Sequence, residues 1–235
     1  MWKILDTGRS AAAENMRIDG ELLENMKPSD PPILHFYEWE GKAATYGYFL
    51  ETEKYLDLKK VEAHGLSLAR RPTGGGIIFH VTDFAFSVLV PAEFPHYSIN
   101  TLDNYDFINS AVKKGVKNFL ETAEDLTLLP NEPVPKEESC RHFCMAKPTI
   151  YDVMLGGKKI AGAAQRRRKQ GYLHQGSISI ALPDPDLLSE VLLAKEVKRA
   201  MESNTLSLLQ GKWTPNDLEE VRENLKQQLQ KELTQ

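Results

Sequence analysis

The chain has 235 residues, 41% of them hydrophobic, which is enough for one large domain with an ordinary buried core. The net charge of −4 excludes a polycation that binds nucleic acid, and no apolar run is long enough to cross a bilayer. Two cysteines and no signal-peptide apolar region predict a cytoplasmic protein without a disulfide framework.

The first hundred residues predict short strands interrupted by two helices. Ser10 is the expected N-cap of the first helix, and Gly65 stands at the usual position after the end of the second. The predicted elements are a strand at 2–5, a helix that ends before Pro28, strands at 33–39 and 44–49, a short helix at 58–63, and strands at 77–80 and 84–90.

The second half predicts a long amphipathic helix, three strands and a helical end. The predicted elements are a helix at 104–122, an exposed proline-rich loop at 130–136, strands at 149–155, 159–165 and 177–182, a helix at 186–202 and a last helix that starts at 214–217. Gly156-Gly157 is typical of a hairpin turn. This order indicates an α+β domain with a largely antiparallel mixed sheet flanked by helices, rather than a doubly wound sheet. We expect a core at 1–183 and a helical C-terminal segment, 184–235, packed on it.

Residues 70–80, Arg-Arg-Pro-Thr-Gly-Gly-Gly-Ile-Ile-Phe-His, contain the first candidate site. Three glycines let a ligand approach the backbone closely, and adjacent arginines can bind a phosphate or carboxylate. The alternative is a glycine-rich hairpin turn. The spacing matches neither a Walker loop nor a dinucleotide fingerprint. The candidate binding residues here are Arg70, Arg71, Thr73, Gly74, Gly75, Gly76 and His80.

Lys159 begins the second candidate feature, an apolar strand on which Gly162 and Ala163 leave room. A lysine there can place its charge on a carbonyl or phosphate oxygen, although a solvated turn lysine is the commoner case. Gly176 lies in a polar segment with His174, which is either a proton carrier or a structural histidine.

Cys144 is the third candidate, either a nucleophile or a small buried apolar residue. Arg141, His142 and Lys147 are close in sequence, and nearby cations activate a thiolate. Cys140 and Cys144 flank His142, but no fourth ligand is evident, so we expect no metal site.

Together these motifs resemble the biotin/lipoate protein ligase superfamily, specifically the lipoate–protein ligases and the octanoyl or lipoyl transferases. The similarity covers nearly the whole chain to about Pro183. Residues 2–23, with a tryptophan strand and an Asn-Met helix start, and the hairpin at 36–49 are similar to the family's opening. Residues 70–80 and 157–165 resemble its glycine-loop and lysine-strand signatures.

The resemblance implies a fold like that of the class II synthetases and biotin/lipoate ligases, and attachment of a lipoyl or octanoyl group to one lysine of a carrier domain. It implies that the glycine loop lines the acyl site and that Lys159 contacts the acyl carbonyl or a phosphate. In one branch of transferases a cysteine before a Pro-Ser pair receives octanoate from acyl carrier protein, and Cys144 stands similarly before Pro148-Thr149. That reading, which needs no cofactor, is slightly favoured over an ATP-dependent ligase that uses ATP, Mg²⁺ and lipoate.

The implied partners are lipoyl domains of 2-oxoacid dehydrogenases or the H protein of glycine cleavage, with acyl carrier protein as a donor and neither nucleic acid nor membrane. Three positions depart from the family pattern: Val81 follows the signature histidine, Gln175 replaces the histidine of a His-Gly pair, and Ala163 replaces a serine. These departures motivate a third hypothesis, a lipoate-binding paralogue without catalysis. His174 lies one position early, and strand neighbours point to opposite faces, so it is not expected to replace the missing histidine.

Overall fold

The computed structural model describes residues 1–131, 133 and 138–234. Most of the predicted proline-rich loop at 130–136 therefore lies outside the described residues. The strands are β1 (Lys3–Ser10), β2 (Ile33–Trp39), β3 (Ala43–Tyr46), β4 (Ser67–Arg70), β5 (Ile77–His80), β6 (Asp83–Pro91), β7 (Thr127–Leu128), β8 (Val153–Leu155), β9 (Lys158–Arg168) and β10 (Gly171–Ser179). The helices are α1 (Ala12–Asn25), α2 (Leu58–Ala63), α3 (Thr101–Leu120), α4 (Pro185–Val191), α5 (Lys195–Asn204) and α6 (Pro215–Thr234).

Two sheets form the framework. The larger has seven strands in the order β1-β2-β6-β10-β9-β8-β7, and all its neighbours are antiparallel except β1 and β2. The smaller has the order β4-β3-β5, with β3 parallel to β4 and antiparallel to β5. This architecture confirms the predicted α+β class with a largely antiparallel mixed sheet.

Helices cover both faces of the larger sheet. Apolar residues of α3 and α6 share a buried cluster with β2, β6 and β10 on one face. On the other face α1 packs through Leu23 against Leu89 of β6 and Leu173 of β10. The smaller sheet shares a second cluster with α2, α4 and α5. The C-terminal helices thus pack in both clusters, while the division of the chain at residue 183 stays a prediction.

The first strand is longer than predicted, and Ser10 is not a helix cap. β1 continues to Ser10, which pairs with Trp39 of β2, and Ala11 takes the N-cap position without a side-chain hydrogen bond. The cause is the parallel pairing with β2, which the local sequence of β1 does not reveal.

The later strands and helices also shift. β10 spans Gly171–Ser179 rather than 177–182, because it pairs along its length with both β6 and β9. The single helix predicted at 186–202 is two helices, since Leu192 becomes extended and bridges Leu56. The start of α6 is as predicted: Thr214 and Asp217 cap each other through their side chains and backbone.

Candidate active site

A cavity of about 400 Å³ lies between the glycine loop and the β9–β10 hairpin. The cavity lies against one face of β9 and β10. This is the face that α1 partly covers. The predicted site residues that line it are Arg71, Gly75, Gly76, His80, Cys144, Lys159, Gly162, Ala163 and Gly176.

Arg71 stabilises the glycine loop through hydrogen bonds of its side chain. Its buried guanidinium donates to Thr45 Oγ1 (2.8 Å) and to the carbonyl oxygens of Gly74 (3.1 Å) and Gly76 (2.8 Å). Gly75 has φ +91°, and a Cβ built at Gly76 would lie 2.3 Å from the His142 carbonyl oxygen. Gly75 therefore has a backbone conformation that favours glycine, and Gly76 has no room for a side chain.

Three predicted residues of the loop lie outside the cavity lining. Arg70 is exposed on the outer surface, where its guanidinium lies over the rings of Tyr46 and Tyr48, 5.7 and 6.0 Å from their centroids. Thr73 is fully buried and donates to Gln175 Oε1 (2.7 Å). Gly74 faces a separate surface recess beside Phe49. Arg70 and Arg71 point to opposite sides, so of these two arginines it is Arg71 that offers charge to a ligand in the cavity.

Lys159 is buried in the cavity wall, so the interpretation as a solvated turn lysine is wrong. Its Nζ lies 2.7 Å from Asp152 Oδ2 and donates to the Cys144 carbonyl oxygen at 3.0 Å. Burial raises the pKa of Asp152, and the charge of Lys159 opposes that rise. Sequence reasoning missed Asp152; the available signal was an acidic residue placed one hairpin before the lysine.

Cys144 is half-buried and lines the same cavity as Lys159. A bridge between Ile77 and Phe143 attaches its segment to β5, and the Cys144 N–H donates to the Ile77 carbonyl (3.0 Å). The Cys144 side chain faces Arg71: burial lowers the pKa of the guanidinium, and the interaction with Cys144 opposes that shift. A nucleophile candidate therefore stands beside a buried guanidinium group.

His80 belongs to a chain of buried polar groups behind the loop. Its Nε2 lies 2.8 Å from Thr45 Oγ1 and its Nδ1 lies 2.7 Å from Asp83 Oδ2, which also accepts a hydrogen bond from Ser177 (2.6 Å). Since Thr45 also accepts from Arg71, His80 connects the loop to the larger sheet. Its partners give it a bracing role in the cavity wall.

Gln175 faces the cavity and His174 faces away from it, as strand alternation predicts. Gln175 Nε2 donates to Asp19 Oδ2 (2.6 Å), and Asp19 Oδ1 lies 2.8 Å from His35 Nδ1. His174 is fully buried beside Phe86, and desolvation lowers its pKa to about 3. His174 is therefore neutral and does not replace a histidine at position 175.

Gly176 borders the cavity, but a side chain there would point to the face of β10 that turns away from it. Packing on that face requires glycine. A Cβ built there would lie 2.3 Å from Cζ of Phe86. Gly162 faces the cavity, and a Cβ there would lie 2.5 Å from Lys159 Nζ. The two glycines thus have different functions within one hairpin.

Within the part of the chain that the structure describes, no group of three or more His, Cys, Asp or Glu side chains could hold a metal ion. Among the same residues, no helix combines the length and apolar character that a bilayer span needs.

The sequence of the chain also matches a known protein family. The family described as "Lipoyl protein ligase A/B catalytic domain" matches residues 11–230. The chain is 32% identical over 199 residues to "Octanoyltransferase LipM" of Moorella thermoacetica, covering 84% of this chain and 72% of the relative. It is 30% identical over 207 residues to "Octanoyltransferase LipM" of Bacillus subtilis, covering 86% and 74%.

Solved structures share the fold. A lipoate-protein ligase A bound with ATP superposes with a TM-score of 0.71 at 24% identity, covering 99% of this chain and 85% of that one. A bipartite lipoate protein ligase from Thermoplasma acidophilum superposes with a TM-score of 0.72 at 23% identity, covering 100% and 84%. These likenesses concern the fold alone.

Proposed function

The chain belongs to the lipoyl protein ligase A/B catalytic domain family, and we propose that it transfers an octanoyl or lipoyl group to a carrier-domain lysine through a thioester on Cys144. The observation that carries this proposal is that Cys144, Lys159 and Arg71 line one cavity. The similar octanoyltransferases support acyl transfer as the reaction. The chain is accordingly a protein acyltransferase, with Cys144 and Lys159 as its proposed catalytic residues.

In the first step the Cys144 sulfur attacks the carbonyl carbon of an acyl thioester donor. A new carbon–sulfur bond forms to Cys144 and the carbon–sulfur bond to the donor breaks. The proton that Cys144 loses passes to the leaving sulfur, so the donor departs as its thiol. Arg71 supplies positive charge beside the attacking sulfur, and the Lys159 ammonium stabilises negative charge on the carbonyl oxygen. The apolar acyl chain occupies the cavity of about 400 Å³.

In the second step the ε-amine of the acceptor lysine attacks the Cys144 thioester. The amide bond forms, the carbon–sulfur bond breaks, and the proton that the amine loses restores the Cys144 thiol. The cavity holds the acyl group next to the entering amine, so the reaction gains from proximity. The same Lys159 contact serves both steps, because both develop charge on the same carbonyl oxygen.

The proposed partners follow from this chemistry. The acceptor is a lipoyl domain, or the H protein of glycine cleavage, and the donor is an octanoyl group on an acyl carrier protein. A thioester donor carries its own activation, so this reaction requires no cofactor. An ATP-dependent reaction with free lipoate is the competing outcome of the test.

The test is incubation with octanoyl–acyl carrier protein, followed by intact mass measurement and an assay with a lipoyl acceptor. We expect one octanoyl adduct on the wild type and none on Cys144→Ala, whose transfer rate falls about 1,000-fold or more. Cys140→Ala is the matched control, because Cys140 is buried and does not line the cavity, and it should still form the adduct.

Two results would contradict the proposal. One is a wild type that forms no adduct with the thioester donor. The other is a Cys144→Ala variant that modifies the acceptor at the full rate with ATP, Mg²⁺ and lipoate, which would establish the ligase reaction instead.

A further inference from the structure

We propose that Asp152 is a positioning residue for acyl transfer, which holds the ammonium group of Lys159 at the cavity wall beside Cys144. This inference rests on the proposed function, since it concerns the same reaction. It assigns a role to a carboxylate that the mechanism above does not otherwise use.

The ion pair between Asp152 and Lys159 is closed to solvent. The side chains are 1% and 5% exposed, and Lys159 Nζ lies 2.7 Å from Asp152 Oδ2. Thr149 donates to the same oxygen through its backbone N–H (2.6 Å) and through its hydroxyl (3.1 Å). The two bonds from Thr149 hold the Asp152 carboxylate independently of the lysine. The carboxylate in turn positions the Lys159 ammonium group.

The backbone is strained at Tyr151, the residue directly before Asp152. Tyr151 has φ +66°, a conformation that is unfavourable for a tyrosine. The Tyr151 N–H donates to the Leu129 carbonyl (2.8 Å), and Asn109 Nδ2 donates to the Tyr151 carbonyl (2.9 Å). Strain held by such specific bonds is typical of functional sites, and here it occurs at the residue directly before Asp152.

Gly162 keeps space open for the pair. A Cβ built at Gly162 would lie 2.5 Å from Asp152 Oδ1 and 2.5 Å from Lys159 Nζ. Any side chain at 162 would push the two charged groups apart or out of the wall. Glycine at position 162 of β9 therefore leaves the space that the Asp152–Lys159 ion pair occupies at the cavity wall.

The geometry leaves Lys159 with one N–H for a substrate. An ammonium has three N–H donors, and two of them meet Asp152 Oδ2 and the Cys144 carbonyl oxygen. Nζ makes no other hydrogen bond or ion pair within residues 1–131, 133 and 138–234. The third N–H is directed by the first two, so Asp152 decides where the charge acts on an acyl carbonyl in the cavity.

The test separates positioning from stability. Asp152→Asn keeps the size of the side chain and removes its charge. We expect its kcat for acyl transfer to fall about 100-fold, while KM for the acceptor domain stays within about 2-fold of the wild type. In a Lys159→Ala background, Asp152→Asn should cause no further loss, because a residue that acts through Lys159 has nothing left to position.

A second variant covers the case in which Asp152→Asn does not fold. Gly162→Ala leaves both charged residues in place and displaces the pair, so it should lower kcat with a similar KM. Gly20→Ala in α1 is its control, since no atom lies within 4 Å of a Cβ there. Unchanged kcat in both Asp152→Asn and Gly162→Ala, or additive losses with Lys159→Ala, would overturn the inference.

Failure of the proposed function is recognised separately. If the wild type forms no thioester on Cys144 but lipoylates with ATP, the same variants are assayed in that reaction. Equal rates for Asp152→Asn and the wild type there would also overturn the positioning role, whereas a non-additive loss would support it.

Discussion

The two walls of the cavity are built in different ways. The loop wall consists of residues 71–76 and 138–147, and it holds its groups through irregular backbone and individual hydrogen bonds, such as those of Arg71. The strand wall consists of β9 and β10, and strand register sets which of its side chains face the cavity. Cys144 on the loop wall is half-buried, whereas Lys159 on the strand wall is 5% exposed at its side chain.

This difference indicates a division of labour. Cys144, the proposed acyl acceptor, lies on the wall that is more open to solvent. Lys159, the proposed contact of the acyl carbonyl, lies on the wall that pairs with β6 and β8. We therefore expect variants of the strand wall to cost stability and activity together, and variants of the loop wall other than Gly76, which has no room for a side chain, to cost mainly activity.

The largest effect is expected for Lys159→Met on the strand wall. It leaves the Asp152 carboxylate buried without its cation, which should destabilise the fold by about 3–5 kcal/mol at pH 7. Cys144→Ala on the loop wall should change stability by less than about 1 kcal/mol. Urea unfolding of both variants at pH 7 measures the contrast.

The pH dependence of Lys159→Met supplies the control. The folded pKa of Asp152 is already raised above the ordinary value of 3.8 by burial, and removal of Lys159 raises it further. Burial of the carboxylate therefore costs nothing below pH 3.8, and the cost grows as pH rises toward the folded pKa. The destabilisation should shrink as pH is lowered, and should nearly vanish in Lys159→Met/Asp152→Asn. A loss that is independent of pH would show that the strand wall does not depend on this pair.

A smaller effect is expected from one glycine on each wall. Gly176→Ala on the strand wall should destabilise by about 1–3 kcal/mol, because its Cβ would lie 2.3 Å from Phe86 Cζ. Gly74→Ala on the loop wall should stay within about 0.5 kcal/mol, since no atom lies within 4 Å of a Cβ there. Urea unfolding gives both values, and equal losses would contradict the proposed difference between the walls.

Sequence reasoning found the strand wall more completely than the loop wall. Lys159 and Gly162 were identified from one strand, because alternation along a strand is a local property. The opposite orientations of Gln175 and His174 followed from the same rule. Asp152, which contacts Lys159 from the segment before β8, leaves no such pattern. It follows Tyr151, whose bonds to Leu129 and Asn109 join residues far apart in the chain.

On the loop wall the identity of the residues was predictable but their placement was not. Arg70 and Arg71 look equivalent in the sequence, and only the pairing of β4 with β3 decides which one enters the cavity. Cys144 reaches the cavity through a bridge between Phe143 and Ile77, which lie far apart in the chain. Such long-range contacts leave no local pattern, so the resemblance to a family carried the prediction there.

The last comparison takes one histidine from each wall. Burial lowers the pKa of His174 to about 3. The pKa of the half-buried His142 of the loop wall is also lowered, by burial and by the nearby charge of Arg141. A histidine with a depressed folded pKa costs stability as pH falls below its unfolded value of 6.5, because only the unfolded chain takes up the proton. Between pH 7 and pH 5 the cost at His174 is about 2 kcal/mol.

His174→Gln should therefore lose less stability between pH 7 and pH 5 than the wild type does, by about 2 kcal/mol in urea unfolding. His142→Gln should recover less, because solvent reaches its ring. If His142→Gln and His174→Gln recovered the same amount, the strand wall would admit solvent as readily as the loop wall, and the division of labour between them would have no electrostatic basis.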